Sequence, residues 1–172
     1  MEETITLNET ETEATKIEIV TLQKFIILSI ISFGLYPIWW MYKTWKFFKE
    51  KDNLDIMPVP RAIFAIFFLN GLFNRIQDFA GSKGYTKTFS SVGCFLGVIG
   101  FNFAGKLPEP YFLISFLSFL FFLPGVEALN HGIRNSVAFD VRETESFNAR
   151  QLILLILGGI FWVLVLMGLS ME

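Results

Sequence analysis

The chain reads as an all-α membrane protein with three to four transmembrane helices plus one interfacial or re-entrant helix. Three observations predict this class. Of 172 residues, 53% are hydrophobic and only 17% charged, which exceeds the apolar share of ordinary soluble domains. Phe contributes 21 residues, a density suited to a lipid-facing surface. The apolar residues also fall into five runs, 25–42, 62–74, 88–105, 110–126 and 151–171, parted by short polar connections.

Residues 1–18 carry six Glu and one Lys among threonines, which predicts an acidic flexible tail with too little to bury. Residues 19–172 then form the helical membrane domain. Its first run, Phe25–Tyr42, holds 18 uncharged residues, about 27 Å as a helix. Gly34-Leu35-Tyr36-Pro37 interrupts it, because Pro37 lacks an N–H and crowds the preceding turn. The run is therefore either a kinked spanning helix or a re-entrant hairpin turning at Gly34–Pro37. Trp39, Trp40, Tyr42 and Trp45 follow, with Lys43, Lys46, Lys49 and Lys51 at near-helical spacing. Amphipathic rings beside lysines favour the headgroup level, so Trp39, Trp40, Tyr42, Lys43, Trp45, Lys46 and Lys49 are the candidate lipid-binding belt.

Pro58-Val59-Pro60 predicts an extended stop. The run 62–74 is too short to span and carries Asn70 and Asn74 on one face, so 61–80 reads as an interfacial or re-entrant helix, with Asp78 a candidate partner for Arg75. In 88–105, Gly93 and Gly97 share one face and permit close helix packing, within the chain or between copies. The run 110–126 is Phe-dense. Beyond Pro124, Glu127, His131 and Arg134 recur at i, i+4 and i+7, flanked by Asn130. This polar cluster could share a proton if buried, with Glu127 paired to His131 or Arg134, or form an interfacial ladder. Residues 137–147 read as a charged loop, and Ser146 or Asn148 as the cap of the last helix, 151–171.

Gly-Leu-Tyr-Pro-Ile-Trp-Trp-Met-Tyr-Lys (34–43), Pro-Val-Pro-Arg-Ala-Ile-Phe (58–64) and Leu-Phe-Asn-Arg-Ile (72–76) together resemble the signatures of a family of small bacterial multi-pass inner-membrane proteins of unknown function. Trp39 departs from its pattern, where Tyr or Phe is usual. The resemblance implies a bacterial inner membrane and carries no catalytic residue.

Charge separates the topologies, because Lys and Arg of short loops prefer the cytoplasm. Four crossings with an outer N-terminus place eleven of the fourteen basic residues inside. Three crossings, with the first run folded back, place thirteen inside and leave only Lys106 outside. A net charge of −2 argues against nucleic acid as a partner, and one Cys with one His leaves no metal cluster or internal disulfide. No catalytic motif or cofactor fingerprint appears, so the sequence predicts no enzyme. It predicts a structural or accessory component that binds membrane lipids, itself or another membrane protein. The alternative is a channel or transporter component using Glu127, His131 and Arg134.

Overall fold

A computed structural model describes residues 15–137, 139–143 and 147–170. The elements run β1 (Thr15–Ile19), α1 (Leu22–Ile31), α2 (Tyr36–Lys51), α3 (Pro58–Ile63), α4 (Ala65–Ser82), α5 (Ser91–Phe103), a 3₁₀ helix (Tyr111–Phe122), α6 (Leu123–Arg134), β2 (Phe139–Glu143) and α7 (Ala149–Ser170). The all-α expectation holds apart from a small parallel ribbon, in which β1 pairs with β2 from Thr15↔Phe139 to Ile19↔Glu143. The acidic-tail reading therefore fails over 15–18, which are strand, and its first 14 residues lie outside the described ones. The loop reading of 137–147 likewise gives way to β2.

The stretch 25–42 is not one helix. Thr21 caps α1, accepting the Lys24 N–H at 3.4 Å. The helix then ends, and Phe33 (φ 53°) and Gly34 (φ 78°) both turn left-handed. Such a conformation strains a bulky residue, so Phe33 must be held by its surroundings. Its ring stacks on Trp162 at 4.7 Å and meets Phe161 edge-on at 4.8 Å. Ser32 Oγ accepts the Tyr36 N–H at 2.8 Å, and Pro37 sits in the first turn of α2, where no helical N–H is needed. The chain thus doubles back: the Phe25 ring lies 5.8 Å from Tyr36 and 5.7 Å from Trp40. In a straight helix residues 25 and 40 would be about 22 Å apart.

Pro58 and Pro60 also open a helix rather than extend the chain. Within the first turn of α3 their missing N–H groups leave no bond unmade. Helix α4 then buries Leu69, Leu72, Phe73, Ile76, Phe79 and Ala80, a stripe at helical spacing. Arg75 pairs with Asp52 at 3.0 Å, not with the expected Asp78, because its guanidinium lies over the Phe48 ring beside the end of α2. Helix α6 packs on α4 through Gly125 and Gly132, seven residues apart. A Cβ on Gly125 would meet the Phe73 ring at 2.9 Å, and one on Gly132 the Phe79 ring at 2.6 Å.

The Phe-dense run 110–126 is a 3₁₀ helix as far as Phe122, and its sequence shows why that geometry works. In YFLISFLSFLFF every third residue aligns. Tyr111, Ile114, Leu117 and Leu120 form an exposed ridge, while Ser118, Phe119 and Phe122 are buried. This helix lies antiparallel to α5 and the short 3₁₀ turn that follows it (Ala104–Lys106), with Gly97 against Phe121 and Gly105 against Ser115.

Helix α7 starts in a reciprocal cap: Asn148 Oδ1 accepts the Gln151 N–H at 2.9 Å, and Gln151 Oε1 accepts the Asn148 N–H at 3.1 Å. Asn148 is thus the cap; Ser146 lies outside the described residues. Midway along, Gly158 meets the Ile31 carbonyl, and Trp162 Nε1 donates to Ile30 O at 2.9 Å. The hairpin turn therefore reaches only the middle of α7. Among the described residues two helices are long and apolar enough to cross a membrane, Tyr111–Arg134 with 24 residues and Gln151–Ser170 with 20.

Candidate functional site

Periodicity divides the aromatic-basic belt between two faces of α2. Trp40, Thr44, Trp45 and Phe48 point inward, and Trp40 and Trp45 are only 4% and 3% exposed. Neither is an interface side chain, which corrects their place in the belt. Trp40 packs on Phe25 and Phe122, while Trp45 lies under the Arg61 guanidinium at 4.7 Å. Trp39, Lys43, Lys46 and Glu50 form the outward stripe, at i, i+4, i+7 and i+11. Trp39 is half-exposed and its ring sits 5.2 Å from Tyr42; Lys49 is exposed but lies off this stripe.

The outward stripe forms one wall of a cavity of about 820 Å³. Ile17–Val20 of β1 and its exit lie on another side, with Leu129, Asn130 and Ile133 of α6 beneath and Asn148, Gln151 and Leu154 of α7 closing it. Lys24, from the first turn of α1, is buried in this wall at 7% exposure, its ammonium 5.3 Å from the centre of the Phe147 ring. Tyr36 also lines the cavity, with its hydroxyl facing the Gln151 side chain. Asn130 Nδ2 donates to Val20 O at 2.8 Å and so fixes the β1 wall to α6. The groove is thus lined by basic and amide groups interspersed with Leu35, Trp39, Leu129 and Leu154. Its volume suits a small-molecule ligand.

The polar cluster is not assembled as its spacing suggested. Glu127 accepts a hydrogen bond from Lys87 Nζ at 2.7 Å, so its partner comes from another part of the chain. Both side chains are exposed, Lys87 by 73% and Glu127 by 41%. The hydrogen bond to Glu127 and then its charge raise the Lys87 pKa. Burial, then the Glu127 charge, raises that of Tyr85. His131 packs against the Tyr85 ring at 5.0 Å. Asn130 is diverted to Val20, and Arg134 lies at the last turn of α6.

Of the glycine pair, Gly97 makes a close approach within the chain, because a Cβ would collide with the Phe121 ring. Gly93 faces only Ser90, whose hydroxyl caps α5 by accepting the Gly93 N–H at 3.0 Å. A second cavity of about 400 Å³ lies between α2 and α4, but Lys51 and Arg75 there are both paired with Asp52. Among the described residues no group of His, Cys, Asp and Glu could hold a metal ion.

Sequence reasoning missed β1, β2 and therefore the groove. The alternation in Lys16-Ile17-Glu18-Ile19 and Phe139-Asp140-Val141-Arg142 was the available signal. Gly125, Gly132 and Gly158 gave only spacing, with nothing to say what they would meet.

Comparison of the chain with protein-family models, with curated proteins and with solved structures finds no match.

Proposed function

We propose that this chain is a multi-pass membrane protein of three crossings, acting as a structural or accessory component that binds membrane lipid. One observation carries the reading. The outer face of α7 shows ten large apolar side chains, each more than half exposed, and no polar residue divides them. Soluble chains rarely leave so large an apolar surface open, whereas a bilayer covers it. α5 with the 3₁₀ helix and α6 would supply the other two crossings.

Two features favour three crossings over four. β1 pairs with β2, which puts the residues before α1 and those before α7 at one end of the molecule. The α1–α2 hairpin reaches only mid-α7, as a re-entrant loop would. That arrangement agrees with the charge rule, which leaves Lys106 alone on the far side. The family resemblance adds the bacterial inner membrane as the compartment. The channel alternative has less support, since Glu127 is exposed and paired with Lys87.

Single cysteines at Glu18, Lys83, Lys106 and Ser170, in a Cys94→Ser background, test this with a membrane-impermeant maleimide. Glu18 and Lys83 should label from the cytoplasmic side, Lys106 and Ser170 from the other. Glu18 labelling opposite Lys83 would restore four crossings. All four labelling from one side would end the multi-pass reading.

A further inference from the structure

The groove between β1, α2 and α7 has chemistry that the crossings alone do not require. We propose that it seats one anionic phospholipid, its phosphate held by Lys43 and its acyl chain laid past Trp39 toward Leu154. The proposal rests on the three-crossing reading, which sets the groove at the level where the apolar run of α7 begins.

Charge complementarity selects this occupant. Among the described residues Lys24, Lys43 and Lys46 line the groove with Glu18 and Glu50. Lys46 is engaged by Glu50 at 3.6 Å. Lys43 is exposed and makes no ion pair or hydrogen bond among the described residues, so it is the cation left for a ligand. The α7 N-terminus opens on the same space through Asn148 and Gln151, and its partial positive charge acts in the same sense. A small soluble anion would use only these polar groups. The apolar residues of the same lining, among them the half-exposed Trp39, call for a ligand that joins an anion to a hydrocarbon chain. Trp beside Lys is also the pairing found at headgroup depth, the ring among the upper methylenes and the ammonium among phosphates.

Native mass spectrometry of the full chain, released from mild detergent with equal dioleoyl phosphatidylglycerol and dioleoyl phosphatidylcholine, tests the proposal. The wild-type chain should retain one phosphatidylglycerol in preference. Lys43→Gln should cut that preference about fivefold, the effect of one lysine near an anionic surface. Lys49→Gln, an exposed lysine outside the groove, should leave it unchanged. Trp39→Ala should weaken retention of both lipids, because it removes chain contact and not charge. Equal retention of the two lipids, or equal effects of Lys43→Gln and Lys49→Gln, would overturn the site. Cysteine labelling on the same preparations separates the two readings: correct sidedness without lipid preference defeats the groove alone, and wrong sidedness defeats the crossings.

Discussion

Helices α4 and α7 are similar in length, with 18 and 22 residues, yet they are stabilised by different surroundings. Beyond its first turn, where Ile66 and Phe67 are exposed, α4 sorts its residues by face. Leu69, Leu72, Phe73 and Ile76 are at most 1% exposed, while Asn74 and Asp78 are turned away from that face. α7 does no such sorting: Leu157, Ile160 and Leu164 are all more than half exposed. The first pattern holds a helix with the chain's own core, and the second fits the bilayer surrounding proposed above. Apolar content alone therefore does not tell a core helix from a spanning one; its distribution around the axis does.

The comparison can be broken from either side. Phe73→Ala should have the largest effect, about 3–5 kcal/mol lost in detergent unfolding, because the ring sits among Phe89, Phe122 and Gly125 with no solvent to fill the void. Ile160→Asp on α7 comes next. In a bilayer it should cost about 2.5–3.5 kcal/mol of insertion, read as a fall in the membrane-integrated fraction. On a water-facing helix the same change would cost less than about 0.5 kcal/mol, and that result would erase the distinction. Gly97→Leu should destabilise by about 1–3 kcal/mol through collision with Phe121, with no change of particle size, since the contact lies within the chain. A change of oligomeric state with unaltered stability would reassign that face to a partner.

The smallest effect belongs to Glu127→Gln. Exposed ion pairs contribute little, and flux in reconstituted liposomes should match wild type. Because Glu127 raises the Lys87 pKa, the pair's contribution is complete below the ordinary lysine value and is lost as pH rises through the raised one. Stability near neutral pH should therefore be flat in both proteins, and only the wild type should show the extra alkaline loss.

What the sequence made legible follows from which physics is local. The length of α7, its Asn148 cap and the break at Gly34–Pro37 rest on neighbours in the chain, and each was readable. Whether the break made a kink or a hairpin was not, because Phe33 needs Trp162 to hold it, and residue 162 is distant in sequence. The belt split for a similar reason. Trp40 and Trp39 have the same intrinsic preference for an interface, and only the packing of Phe25 and Phe122 decides that Trp40 turns inward. Glu127 lay beside plausible helical partners, yet Lys87, 40 positions earlier, is nearer in space.

The ribbon has a consequence in time. Each of its pairs joins residues 124 positions apart, Thr15 with Phe139 through Ile19 with Glu143. At about 5–20 residues per second, a ribosome needs roughly 6–25 s to make the second strand after the first. Through that interval Ile17 and Ile19 have no partner strand, while the intervening helices emerge. The groove wall they form is therefore among the last parts to close, and on the proposed reading a lipid would enter it before the strand is latched in place.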